Sequence, residues 1–156
     1  MTPAPLDAGS VAGKLALLRQ LLDDLDAAGE VTRERLERDR LLRYAVERIL
    51  TQLVDLAVAI NGHVAVAQLG QAPPDYRSSF GLAAQAGALG ADLAQRLAAS
   101  VGLRNVLTHE YVTIDLEVVV RSVGLAQQDY RAYVTAVARF VLTGPPGHPH
   151  PGDQRE

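Results

Sequence analysis

A chain of 156 residues has the length of one domain, and its 48% hydrophobic and 21% charged composition is that of an ordinary folded protein with a real core. The formal net charge of −3 argues against a broadly basic nucleic-acid-binding surface, while leaving room for a local basic groove, because apart from Lys14 the 15 cations are all Arg. With no Cys in the chain, disulfides, thiolate catalysis and Cys-based zinc sites are excluded.

Residues 1–10, with Pro3 and Pro5, are expected to form a flexible leader. They lack the basic start and apolar centre of a secretory signal. No apolar run approaches the ~20 residues that span a bilayer. The expectation is a cytoplasmic protein of bacterial type that makes no membrane contact. A first helix is predicted over residues 11–28, where Leu15, Leu18, Leu22 and Leu25 recur at alternating three- and four-residue steps. Gly29 ends it. Thr32 is placed to cap a second and longer helix that runs to about Asn61-Gly62, with Glu34 in its first turn.

Two apolar strips run along this second helix. Leu42, Val46, Ile49, Leu53, Leu56 and Ile60 make one seam; Leu50, Val54 and Ala57 make another beside it. Both faces should therefore be packed. Glu34–Arg38, Asp39–Arg43 and Arg43–Glu47 stand at ion-pair spacing along its first half. Residues 71–75, with Pro73 and Pro74, must be a loop, because paired prolines cannot continue a helix. A short helix near residues 78–86 follows, then one over about 91–107, bracketed at its start by Gly87 and Gly90. Asp115 or Thr113 caps a final helix to about Leu142, with Leu116, Val119, Val123, Tyr130, Val134, Val137 and Val141 turned inward. Residues 144–156, rich in Pro, are expected to be disordered. No strand pattern competes. The predicted fold is all-α, an antiparallel bundle of about five helices over residues 11–143.

The chemistry is concentrated in Arg104-Asn105-Val106-Leu107-Thr108-His109-Glu110-Tyr111, at the end of the fourth predicted helix. In helical geometry Asn105 and His109 share a face, as do Arg104, Thr108 and Tyr111, while Val106 and Leu107 can anchor the turn. An imidazole can give or take a proton near neutral pH. A guanidinium keeps its charge and presents a planar donor fork suited to phosphate oxygens. Together they make a minimal kit for cutting a phosphodiester without a metal or cofactor. Spacing alone leaves open a structural or merely exposed histidine.

These residues carry a family resemblance. The octet resembles the Arg-x4-His-x-Tyr signature of HepT-like toxins, a branch of the HEPN ribonuclease superfamily. Tyr44-Ala45-Val46-Glu47-Arg48, Gln52, Asp55-Leu56-Ala57 and His63 resemble the family's long second helix. Pro74-Asp75-Tyr76 with Phe80 and Leu82 resembles its loop and short helix, and Val101-Gly102-Leu103 leads into the signature. The resemblance covers residues 36–141. It implies a helical homodimer whose signature residues meet in a cleft and cleave RNA without metal. It also implies an MNT-type nucleotidyltransferase antitoxin as partner, which transfers AMP to the signature tyrosine. Carried over, Arg104 and His109 are catalytic, Asn105 supports them, and Tyr111 is the AMP acceptor. Glu47, Arg48 and Asp55 are possible supporting residues, Asp55 by pairing with Arg104 or His109.

On that reading a neutral His109 removes the proton of the RNA 2′-OH, and a protonated His109 from the second subunit protonates the leaving 5′-oxygen. Arg104 stabilises the charge that develops on phosphorus. A different class of function, a non-catalytic helical adaptor that docks a nucleotidyltransferase, is also compatible with a helical bundle. The Arg104–His109 pair favours the enzyme. His63 is read as a capping or packing residue, and His148 and His150 in the tail carry no metal-site expectation. Arg33, Arg35, Arg38, Arg40, Arg43 and Arg48 alternate with acids, which favours a salt-bridged solvated face over a phosphate track for most of them.

Overall fold

The computed structural model describes residues 5–110 and 112–144. Among these residues there are six helices and no strand: α1 Ala8–Ala27, α2 Arg33–Arg38, α3 Arg40–Leu69, α4 Tyr76–Gln85, α5 Ala91–His109 and α6 Leu116–Thr143. A helix start leaves backbone N–H groups without partners, and a short polar side chain can take one. Asp7, Thr32, Asp39, Asp75 and Asp115 do this for α1, α2, α3, α4 and α6. Only α5, which starts after Gly90, has no side-chain cap. The choice left open between Thr113 and Asp115 falls to Asp115, whose Oδ1 accepts from the Glu117 N–H at 2.9 Å.

Three boundaries differ from the predicted ones. The expected long second helix is two helices, which raises the count from five to six. Asp39 leaves helical geometry at φ −116°, ψ 93°; its N–H closes α2 on the Arg35 carbonyl while its carboxylate caps Leu42 of α3. That carboxylate is thus not paired with Arg43, and of the three expected ion pairs only Arg43–Glu47 forms, at 2.8 Å. Arg33–Glu37 forms as well, at 2.8 Å. Second, α3 does not stop at Asn61-Gly62 but runs to Leu69, where Gly70 at φ 68° supplies the left-handed residue that ends a helix. Third, α1 begins at Ala8, so the last residues of the expected leader are helical. Residues 145–156, the expected tail apart from Gly144, lie outside the described residues.

α3 is the axis of the bundle and contacts α1, α4, α5 and α6. Of its predicted strips, Val46, Leu50, Leu53, Val54, Ala57 and Ile60 are buried, with Leu42, Ile49 and Leu56 partly so. Length and composition alone would let α3 cross a membrane, contrary to the expectation of no such stretch. Its apolar strips are instead covered by neighbouring helices, as in the core helix of a bundle. Leu15, Leu18, Leu22 and Leu25 of α1 are buried as predicted, and so are Val119, Val123, Tyr130, Val134 and Val137 of α6.

A polar thread crosses this core. Tyr133 of α6, fully buried, donates to Asn61 Oδ1 at 2.8 Å and to the Ala57 carbonyl at 3.1 Å. Asn61 Nδ2 donates to Ser79 Oγ of α4 at 3.2 Å, and that hydroxyl donates to the Tyr76 carbonyl at 2.7 Å. By local sequence Asn61-Gly62 reads as a helix end. Asn61 is instead a mid-helix residue whose amide is satisfied by α4 and α6. A buried amide needs such partners, and here they fix the start of α4 against α3.

Candidate active site

Arg104–His109 form the last turns of α5. Val101 and Leu107 are buried and hold the helix down, while Asn105 and His109 are exposed and Arg104 is partly buried. Thr108 returns its hydroxyl to the Arg104 carbonyl at 2.9 Å, and Glu110 closes the helix with its N–H on the Val106 carbonyl at 2.9 Å. His109 is thus the last residue of α5 and stands where the chain leaves the bundle.

Arg104 turns toward α3 and α4. Its Nε donates to Asp55 Oδ1 at 2.9 Å, and its guanidinium carbon lies 4.9 Å from the centre of the Tyr76 ring. Of the two partners considered for Asp55, Arg104 is the one it meets. Neither Arg104 Nη makes a hydrogen bond among the described residues, so the terminal donors remain available. Tyr76, the first residue of α4, is set in place by Asp75. Both oxygens of that carboxylate are engaged, one accepting from the Ser78 N–H at 2.7 Å and the other from the Ser78 hydroxyl at 2.9 Å. Those two bonds hold the Asp75 carboxyl below the usual carboxylate range.

Between α4 and α5 is an open hollow of about 500 Å³ lined by Asp75, Tyr76, Arg77, Val101, Arg104 and Asn105. Arg104 and Asn105 share this hollow. His109 does not line it. Five residues on a helix amount to about 140° of rotation and about 7.5 Å of rise, so Arg104 and His109 of one chain leave α5 in different directions. Of the remaining site candidates, Glu47 is tied to Arg43, and Arg48 is exposed on the α3 face that carries Asp55, two turns away. Tyr111 lies outside the described residues. Among the described residues no three His, Asp or Glu side chains converge in the manner of metal ligands. Arg38, Arg40 and Arg48 form no ion pair among the described residues, whereas Arg33, Arg35 and Arg43 are engaged.

Tyr76 beneath Arg104 was not singled out as a site residue. Its signal was present: Asp75 three residues before Ser78 is an N-cap spacing that starts the helix at Tyr76. Also unanticipated is an apolar cavity of about 430 Å³ on the other side of α5, walled by Leu50, Val54, Leu103, Val106 and Val118 among others. Its polar end holds Ser100 hydrogen-bonded to Tyr130 at 2.8 Å and Arg96 paired with Asp129 at 3.1 Å.

The sequence matches the model of the ribonuclease HepT-like family over residues 17–137, which includes Asp55, Tyr76, Arg104 and His109. The chain belongs to the HepT-like ribonuclease family. Two curated relatives agree. A tRNA nuclease HepT of Aphanizomenon flos-aquae is 28% identical over 131 residues, covering 83% of this chain and 88% of the relative. An mRNA nuclease HepT of Shewanella oneidensis is 28% identical over 101 residues, covering 65% of this chain and 76% of the relative. Membership in this family of nucleases makes the protein a ribonuclease. The fold is also that of solved HEPN proteins. A tri-AMPylated Shewanella oneidensis HEPN toxin, solved in complex with its MNT antitoxin, superposes with a TM-score of 0.75 at 23% identity, covering 83% of this chain and 97% of that one. A toxin–antitoxin structure with AMP-PNP gives 0.76 at 22% identity, over 84% of this chain and 98% of that one. At these identities the likeness is one of fold.

Proposed function

We propose that this protein is the RNA-cleaving toxin of a two-gene toxin–antitoxin module. It cuts RNA phosphodiesters without a metal and is neutralised by a nucleotidyltransferase antitoxin that adds AMP to Tyr111. The observation that carries the chemistry is the state of Arg104. It is braced by Asp55 and Tyr76, yet its terminal donors face an open hollow with Asn105 on the rim. A guanidinium held this way is preorganised for charge developing on a phosphoryl group, without reorganisation during the reaction. His109, exposed at the end of α5, is the general base for the 2′-OH, and the protonated His109 of the second copy is the general acid for the leaving 5′-oxygen. Asn105 orients the phosphate.

The divergence of Arg104 and His109 around α5 supports a site completed by a second copy, in which each imidazole works beside the partner's guanidinium. The partner assignment is supported by the HEPN toxin of similar fold that is AMPylated and bound to an MNT antitoxin. AMP on Tyr111 would set a negative phosphate near Arg104, neutralising the cation and excluding RNA. The test is incubation of purified protein with total RNA in EDTA, beside His109→Ala, with intact mass recorded to detect any AMP. Cleavage by the wild type alone supports the reading. Unmodified wild type that leaves RNA intact overturns it.

A further inference from the structure

The hollow beside Arg104 contains Arg77, which the cleavage chemistry leaves unused, and Tyr76, whose part in it is confined to the one ring face under Arg104. The side chain of Arg77, the second residue of α4, makes no ion pair or hydrogen bond among the described residues, although its charge helps to hold the Asp75 carboxyl down. Its Nη2 lies 3.8 Å from the position a Cβ on Gly102 would take, so the guanidinium reaches from α4 across to α5 on the same hollow as Arg104 and Asn105. Tyr76 has one face under Arg104, yet the residue is 38% exposed and its hydroxyl makes no hydrogen bond among the described residues. The only carboxylate in the lining, Asp75, has both oxygens turned to Ser78. A partly exposed aromatic ring and two guanidiniums on one hollow are the equipment for a base and its phosphate; an acidic or apolar protein segment would leave the ring or the cations unmatched.

Resting on the ribonuclease reading above, we propose that Tyr76 and Arg77 form a substrate subsite that holds the nucleotide next to the cleaved bond. Its base lies against the Tyr76 ring, its phosphate is bound by Arg77, and the scissile phosphate is left to Arg104. A base must be free of its stack to reach the ring, so the subsite takes single-stranded RNA and rejects duplex.

The test uses the whole wild-type protein and a short, unstructured 2′-O-methyl RNA, which lacks the attacking hydroxyl and stays intact. Binding is followed by fluorescence anisotropy from about 50 to about 300 mM salt, since each phosphate contact to a single strand contributes a slope of about −0.7 in log K against log salt. Arg77→Gln is expected to bind about tenfold more weakly at the low-salt end and to lose about 0.7 of that slope. Tyr76→Phe keeps the ring and is expected to lose much less affinity than Tyr76→Leu. Tyr76→Leu binds about tenfold more weakly with the slope unchanged, as loss of one stacked base requires. A purely structural role for Arg77 would not change the salt slope, and thermal melts of each variant identify any that fail to fold. Should Tyr76→Leu melt early, Arg77→Gln alone decides. If Arg77→Gln keeps wild-type affinity and slope while the wild type cleaves ordinary RNA, the subsite is overturned and the ribonuclease reading stands. If Arg77→Gln keeps RNA affinity and loses only a co-expressed partner protein, the hollow is a protein-docking surface and the subsite is likewise overturned. If the wild type neither binds nor cleaves RNA, both fall together.

Discussion

Arg104 and Asp55 meet across the α5–α3 contact through a single hydrogen bond, from Nε to Oδ1 at 2.9 Å. That choice of donor matters. A carboxylate that engaged the two Nη atoms would consume the fork that phosphate needs, whereas a bond at Nε fixes the plane and leaves the fork outward. Tyr76, 4.9 Å below the guanidinium, supports the same plane from a third helix. The side chains are only partly buried, so the pair contributes little to stability, about 0–1 kcal/mol. Its value lies in orientation.

Arg104→Lys follows from this geometry. A lysine keeps the charge but has no Nε to give Asp55, no plane to stack on Tyr76 and no fork for two phosphate oxygens. RNA cleavage should fall about 10²- to 10³-fold, as for loss of one preorganised donor to a transition-state oxyanion. A thermal melt within a few degrees of wild type would separate this from unfolding. Cleavage within a few-fold of wild type would contradict the role given to Arg104.

Asp55→Ala removes the acceptor that positions Arg104. Removing the carboxylate makes the hollow more positive, which favours RNA binding, but frees the guanidinium to wander. The expected result is a lower KM together with kcat reduced about tenfold, the cost of a misoriented stabilising group. Steady-state kinetics on a single RNA substrate reads both. A raised KM with unchanged kcat would mean that Asp55 has no positioning role.

The angular separation of Arg104 and His109 on α5 predicts complementation in trans. Mixed preparations of Arg104→Ala and His109→Ala contain dimers in which one site keeps both groups, one from each subunit. Part of the wild-type activity should return, below the about one quarter that dimer symmetry sets for one complete site in half of the dimers, because such a site keeps Arg104 and only one of the two His109 imidazoles. Mixtures as inactive as the single variants would place both groups on one chain.

Asn61→Ala tests the polar thread rather than the chemistry. It strips a partner from the buried Tyr133 hydroxyl and from Ser79, and it leaves a small void in the core. A loss of about 2–3 kcal/mol is expected by urea unfolding. Because Ser79 also holds the Tyr76 carbonyl, cleavage should drop before the protein unfolds. Loss below 0.5 kcal/mol would show the network to be dispensable.

Stability should decline in alkaline solution. Burial pushes the phenols of Tyr130 and Tyr133 well above their ordinary values. The unfolded chain then releases these protons near pH 10 while the folded chain retains them, so the folded state binds more protons and stability decreases as pH rises. The contribution is complete below about pH 10 and is lost above it, by up to about 1.4 kcal/mol per pH unit for each phenol. Urea melts between pH 8 and pH 11 should show this decline, and Tyr130→Phe should reduce its slope. An unchanged slope in that variant would place the alkaline sensitivity elsewhere.

The parts of this protein legible in its sequence are those governed by local period and local caps. Leu15, Leu18, Leu22 and Leu25 repeat at the helical step, and a helix that repeats so must bury that stripe wherever it packs. The same logic places the inward residues of α6 and puts Arg104–His109 at the end of α5. Where two local readings were equally good, the sequence could not choose. Asp39 suits an ion pair within one long helix as well as a cap between two, and only the packing of α2 beside α6 brings the break. Asn61-Gly62 reads as a helix end, because Asn and Gly are poor helix formers. It is helix because Ser79 and Tyr133, 18 and 72 residues away, satisfy the amide in place. Local sequence therefore determined which residues are apolar-faced and roughly where the helices lie. The tertiary structure alone decided that Asp55, 49 residues from Arg104, takes its Nε, that Tyr76 lies beneath it, and that Arg77 reaches the same hollow. Periodicity is set by 3.6 residues per turn and is written in neighbouring residues; a polar side chain's partner is set by which helices touch, and that is a property of the whole bundle.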